Sequence, residues 1–145
     1  ENANQTANTG IHQELRGLNI LLVEDNETNQ LVTTEILREV KVNVWIANDG
    51  VEGVEKAKSG DYDMILMDCK MPNMDGFDAS RAIREDTRLD STPIIGLTGS
   101  ITEEDRKKCL DVGMNDHIEK PIRVKILFET MKKWCDFKRS KLPLR

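Results

Sequence analysis

Two hydrophobic periods alternate along this chain. Short apolar runs (Ile20, Leu21, Leu22, Val23; Met64, Ile65, Leu66, Met67; Ile94, Ile95, Gly96, Leu97) have the length and continuity of buried strands. Between them lie segments whose apolar residues recur at helical spacing. The pattern predicts a strand at 19–23, then a helix with Val32, Ile36, Leu37 and Val40 on one face, capped by Asp25 or Asn26. A strand at 43–47 leads to a short helix carrying Val51, Val54 and Ala57 and stopped by Gly60. A strand at 63–67 precedes a helix from about Phe77 to Glu85. Thr92 and Pro93 introduce the strand that ends at Thr98. The next helix starts near Ser100 or Thr102, each followed three residues later by an acid, and ends at Gly113. A strand at 116–119 and a helix with Val124, Leu127, Met131 and Trp134 on one stripe complete the series. Five strands alternating with five helices imply an α/β fold, βα units around a parallel sheet.

The polar residues that end these runs are the informative ones. The first strand runs into Glu24 and Asp25, the third into Asp68, the fourth into Thr98, and the last into Lys120 and Pro121. An acidic group at the exit of a buried strand is costly unless something there uses it. In an open parallel sheet, ligands bind beyond the carboxyl ends of the strands, so these distant residues are expected to converge. Three crowded carboxylates repel, and a hard cation relieves that repulsion. Oxygen ligands suit Mg²⁺, whereas zinc would want the imidazoles of His12 and His117, which are poorly placed. With a cation bound, one carboxylate can attack phosphorus while an ammonium and a hydroxyl neutralise charge on the equatorial oxygens. Asp68 stands alone on its strand and is the expected nucleophile; Lys120 and Thr98 supply the other two groups.

Composition narrows the classes. The chain has 145 residues, 38% hydrophobic and 32% charged, enough for one domain with a real core. Its net charge of -5 argues against nucleic acid as the direct ligand. No apolar stretch approaches membrane-spanning length, and the first residues lack the order of a signal peptide, so no membrane contact by this domain is expected. Three widely spaced cysteines, with no Cys-x-x-Cys pair, suit a reducing cytoplasm. Residues 1–17, rich in Asn, Thr and Gln, are expected to form a flexible linker, 18–134 the domain, and 135–145 a basic tail without regular structure.

Leu22, Val23, Glu24 and Asp25, the run from Met67 through Asp68, Cys69, Lys70, Met71, Pro72, Asn73, Met74 and Asp75 to Gly76, then Leu97, Thr98 and Gly99, and finally Lys120 with Pro121, form a specific set. Through them the chain resembles the receiver (response-regulator) domain of two-component phosphorelay signalling, over about residues 18–134. The resemblance implies a doubly wound, flavodoxin-like (βα)5 sandwich with a five-stranded parallel sheet of order 2-1-3-4-5. It implies that Asp68 accepts phosphate from a phosphohistidine. Glu24, Asp25, Asp68 and the main-chain carbonyl of Lys70 would ligate Mg²⁺, with Mn²⁺ as a substitute. Lys120 would contact the phosphoryl group, with a cis bond before Pro121. Thr98 and a residue three before the lysine would form the switch. His117 stands at that second position in place of the usual Tyr or Phe; an imidazole fills similar space and adds a pH-dependent charge. The run from Glu24 to Gln30 looks most like receivers of hybrid histidine kinases. The partners implied are a histidine kinase or a histidine-phosphotransfer protein, at a cytoplasmic location.

Each residue alone has a plainer role. Glu24 and Asp25 could be acids at a helix N-terminus, Asp68 a turn cap, Lys120 a solvated lysine, Thr98 a strand end. Their joint occurrence argues against that account. Of other functions, an Mg²⁺-dependent phosphohydrolase with an Asp nucleophile would need a second acid two residues on, where Lys70 stands. A receiver-like scaffold that cannot be phosphorylated would not need all five groups. The expectation is a signalling module that catalyses its own phosphorylation, not an enzyme acting on other substrates. The methionines near Asp68 and the thiol of Cys69 are expected to be packing, and Asp75 with Gly76 a turn signal only.

Overall fold

A computed structural model describes residues 13–99 and 102–140, the side chains of 139 and 140 excepted. The strands are β1 (Asn19–Val23), β2 (Asn43–Ala47), β3 (Met64–Asp68), β4 (Ile94–Thr98) and β5 (Asp116–Glu119). The helices are α1 (Glu27–Arg38), α2 (Gly50–Ser59), α3 (Gly76–Arg84), α4 (Glu103–Asp111), α5 (Val124–Trp134) and the short α6 (Phe137–Ser140), with a 3₁₀ turn at Thr87–Leu89. All strand pairs are parallel and the sheet order is β2-β1-β3-β4-β5, as the resemblance implied.

Strand periodicity divides the core into two layers. Ile20, Leu22, Met64, Leu66, Ile95 and Leu97 face one side, where Leu37 of α1 and Leu127, Phe128 and Met131 of α5 cover them. Leu21, Val23, Ile65, Met67 and Ile94 face the other, under Ala57 of α2, Ala79 and Ile83 of α3 and Cys109 of α4. Each fully buried Leu, Ile or Met contributes about 1.5–3 kcal/mol over its exposed state, which is why the three central strands read as unbroken apolar runs. Asn26, Asp49, Asp75 and Thr102 cap α1–α4 by accepting a hydrogen bond from an amide in the first turn.

Some helix-face expectations are corrected. Val32, Val51 and Val124 lie exposed; Leu37 and Ala57 are buried as expected, and Thr33, Gly50 and Gly53 are the further buried positions of α1 and α2. At residue 53 small size matters: a Cβ there would lie 2.9 Å from both methyl carbons of Val23, so only glycine lets α2 approach β1 this closely. The packed structure also extends beyond 18–134. Leu15 is fully buried in the α1–α5 layer, and the N–H of Gly17 donates to Lys41 O at 2.9 Å. At the other end Cys135 is buried, and Lys138 of α6 donates to Asp61 Oδ1 at 2.6 Å and Tyr62 O at 2.8 Å. The rest of the expected linker and tail, residues 1–12 and 141–145, lies outside the described residues.

Candidate functional site

The order of the sheet reverses between β1 and β3, and the chain directions place both of their carboxyl ends at the same edge of the sheet. Just past β1, the backbone of Glu24 is fixed from both sides. Its N–H donates to Ala47 O at 3.0 Å, and its carbonyl accepts Gln30 Nε2 at 2.6 Å. Asn26 N–H donates to Glu24 Oε2 at 3.2 Å, which turns the carboxylate back over the strand ends. Asp68 is the last residue of β3 and 4% exposed, and its Oδ1 accepts the Lys70 N–H at 3.3 Å. β4 ends at the buried Thr98, whose carbonyl accepts the Lys120 N–H at 2.7 Å and so ties the exit of β5 to that of β4. The Lys120–Pro121 bond is cis, as expected.

These exits converge. One oxygen each of Glu24, Asp25 and Asp68 lies within 4.8 Å of the others. Lys120 Nζ is 3.0 Å from Asp68 Oδ1 and 3.4 Å from Glu24 Oε1. Burial raises the Glu24 pKa, and the negative charge of Asp68 adds to it, so the attraction of Lys120 does not compensate. Burial works against the Lys120 ammonium, but its hydrogen bond to Asp68 and the charges of Asp68 and Glu24 outweigh that, leaving its pKa raised. Lys120 thus pairs with two of the three carboxylates. An all-oxygen donor set carrying a surplus of negative charge, with Asp25 exposed and two partners buried, fits a hard divalent cation that keeps several waters. Glu24 and Lys120 also line a cavity of about 150 Å³ with Asn29, Val32, Thr33, Pro121 and Ile122, which Asp68 does not border.

The other expected residues are Lys70 and His117. Lys70 follows β3 with its side chain exposed. His117, half-buried on β5 opposite Gly96, lines a separate cavity of about 180 Å³ with Cys109, Met114 and Arg106. Cys69 is packing: desolvation, then the neighbouring Cys109, pushes its thiol up to about 12, so it is not a nucleophile at neutral pH.

Two contributors were not legible as such. Gly76 is more than a turn signal, because a Cβ there would lie 2.1 Å from Asp68 O, while its N–H donates to Cys69 O at 3.0 Å. The returning chain braces the backbone that carries Asp68. Gln30 holds Glu24 and also donates to Asn48 Oδ1 at 2.9 Å. Its only sequence signal was a polar residue one helical turn after the Asn26 cap.

Residues 20–132 match the family described as response regulator receiver domain. Over 126 residues the chain is 44% identical to hybrid signal transduction histidine kinase B of Dictyostelium discoideum, a match covering 79% of this chain and 6% of that protein. The receiver domain of sensor histidine kinase PA1611 from Pseudomonas aeruginosa, solved with magnesium coordinated in its active-site cleft, is 41% identical, with a TM-score of 0.77, covering 82% of this chain and 98% of that one. A Saccharomyces cerevisiae receiver domain, that of the response regulator Ssk1 in complex with the histidine phosphotransfer protein Ypd1, is 30% identical with a TM-score of 0.77, covering 83% of this chain and 90% of that one. The chain spans well under a fifth of the curated relatives it matches.

Proposed function

This chain belongs to the response regulator receiver domain family, and from that premise we propose that Asp68 takes a phosphoryl group from a phosphohistidine and relays it or switches conformation. The observation that carries the assignment is the contact of Lys120 Nζ with Asp68 Oδ1 at 3.0 Å inside a cluster of three carboxylates. An Asp68 carboxylate oxygen attacks phosphorus; the O–P bond forms as the N–P bond breaks, and the imidazole leaves with the electron pair and gains a proton. Lys120, now shared between Glu24 and Asp68, holds the negative charge gathering on an equatorial oxygen, and the Thr98 hydroxyl supports another. Glu24, Asp25, Asp68 and the Lys70 carbonyl are the ligands we assign to Mg²⁺, or Mn²⁺ in its place. A metal held by these groups would add positive charge to that of Lys120 beside the transferring phosphoryl oxygens. After transfer, Thr98 and His117 form the switch pair, biasing a two-state element through one new charged group.

The partner we assign is a histidine kinase or a histidine-phosphotransfer protein, the kind of protein bound to the yeast receiver. The parent is a hybrid histidine kinase, and the domain works on the cytoplasmic side. Among the described residues no helix is long and apolar enough to cross a membrane. A phosphohydrolase is disfavoured by the exposed lysine two residues after Asp68.

Intact mass after incubation with acetyl phosphate and Mg²⁺, then with a phosphohistidine protein donor, tests the assignment. The expected product is one phosphoryl adduct that needs Mg²⁺, is labile in alkali, and is absent in Asp68→Asn. An adduct that persists in that variant, or no adduct from either donor, overturns it.

A further inference from the structure

The pairing of β2 with β1 uses only alternate residues of β2. Asn43 donates its N–H to Leu18 O at 2.8 Å, and Ala47 O accepts the Glu24 N–H at 3.0 Å. Both backbone groups of a residue in a parallel strand face the same neighbour, and successive residues alternate. Asn43, Trp45 and Ala47 therefore face β1, and Val44 and Ile46 turn their N–H and C=O outward. No strand of the described residues lies on that side. The Ile46 carbonyl accepts the Lys56 ammonium, a common way of blunting a sheet edge. At Val44 the edge opens instead on a groove.

That groove, about 620 Å³, is lined among others by Arg38, Lys41, Thr34, Asn43, Val44 and Trp45. Two of its lining residues are cationic and none carries a carboxylate, on a chain of net charge -5. Arg38 does lie 3.7 Å from Glu35, but both side chains are more than 60% exposed, and such a pair holds neither in place. Trp45, 44% exposed, is held edge-on against Tyr62 with ring centres 5.8 Å apart. The Thr34 hydroxyl is buried without a hydrogen-bond partner among the described residues.

We propose that this groove takes an extended acidic segment of a partner protein, added as a further strand on the open edge of β2. Its backbone pairs with Val44, its carboxylates meet Arg38 and Lys41, and an apolar side chain lies against Trp45. Main-chain pairing supplies affinity in such additions, and the side chains on either face supply selectivity. Charge decides the occupant. A second copy of this chain, paired β2 to β2, would offer the groove an edge whose own lining holds two cations and no carboxylate. The chain's own undescribed segments complement it poorly: residues 1–12 hold one acid, Glu1, and residues 141–145 hold Lys141 and Arg145. The groove lies at the start of β2, the end of the sheet away from Asp68, so it is a separate site.

The test uses the full 145-residue chain, ¹⁵N-labelled, and a synthetic capped peptide of alternating Val with Glu or Asp, beside its counterpart with Lys at every acid. The expected result is saturable binding of the acidic peptide with slowed exchange of the Val44 amide proton. Arg38→Glu with Lys41→Asn weakens it by about tenfold or more, as the loss of two interfacial charges should. Asn is chosen because residue 41 has φ +62°, a conformation Asn tolerates. An unchanged amide spectrum elsewhere in that variant shows that it folds. Equal binding of the basic peptide, binding that leaves Val44 exchange untouched, or no saturation up to ~1 mM overturns the proposal. Slowed Val44 exchange that appears without peptide on concentrating the protein assigns the edge to self-association and overturns it as well.

Discussion

Replacing Lys120 by methionine keeps the aliphatic stem and removes the one ammonium within reach of both Glu24 and Asp68. With bulk-water screening, the contacts at 3.0 and 3.4 Å are each worth roughly 1.2–1.4 kcal/mol; at an effective dielectric of ~20 each rises to about 5 kcal/mol. Desolvation of a side chain only 27% exposed cancels much of the larger figure. What remains in the variant is a set of carboxylate oxygens within 4.8 Å of one another and no counter-charge. Breaking such a cluster costs about 3–5 kcal/mol, and residual exposure puts the expectation near the lower end. A divalent cation can take over the lost role. Saturating cation stabilises parent and variant alike, so the gap narrows by the amount that removal of the ammonium tightens cation binding, about 1.4 kcal/mol per tenfold in Kd. Urea unfolding of parent and variant at pH 7, in chelator and in saturating Mg²⁺, reads both effects. The expected result is a loss of about 3 kcal/mol in chelator that shrinks markedly with Mg²⁺. A loss under about 1 kcal/mol, or one that Mg²⁺ leaves unchanged, would refute the view that Lys120 and a cation answer the same surplus charge.

Three further outcomes follow from the same geometry. Gly76→Ala should lower stability by about 2 kcal/mol or more, because its Cβ meets Asp68 O at 2.1 Å and backbone cannot yield; an unchanged thermal midpoint would contradict this. Glu24 has its folded pKa raised above the ordinary 4.5, so its favourable contribution is present below that pH and is lost as pH rises through the folded value. Glu24→Gln should therefore melt a few degrees higher than the parent at pH 7 without metal, about 1 kcal/mol, with the gap closing below pH 4.5 and reversing in saturating Mg²⁺. Thermal melts across pH check it, and equal midpoints at pH 7 would count against the crowding argument. Cys69, with its thiol pushed up to about 12 and 1% exposed, should resist a thiol reagent at pH 8 in the native protein and react on unfolding; native-state labelling mapped to Cys69 would contradict its burial.

The elements themselves were legible because their signals are local. The continuous apolar runs of β1, β3 and β4 suit strands covered on both faces and little else, and Asn26 and Thr102 announce the helices they cap. Helix faces were less so. Val32, Val51 and Val124 satisfy the helical period as well as the buried residues do, and only the position of the sheet decides which side of each helix is inside. Packing near the chain ends is likewise set by distant partners. Leu15 and Lys138 sit in segments of polar composition, and single residues there are packed by partners distant in sequence, Lys41 and Asp61 among the neighbours involved.

By itself, then, the sequence determined the alternation of strands and helices, the five polar residues at the strand exits, and the kind of ion and reaction those residue types suit. These follow from hydrophobic period and side-chain chemistry, which are properties of neighbours along the chain. Tertiary structure decided what depends on distance across it. It buried Glu24 beside Asp68, which raises the Glu24 pKa, brought one ammonium to 3.0 and 3.4 Å from those two carboxylates, and seated Gly76 against the carbonyl of Asp68. It also left the edge of β2 open beside Arg38, Lys41 and Trp45. Coulomb and contact energies change steeply over an ångström, and positions to that precision exist only once the sheet is closed on both faces by its helices.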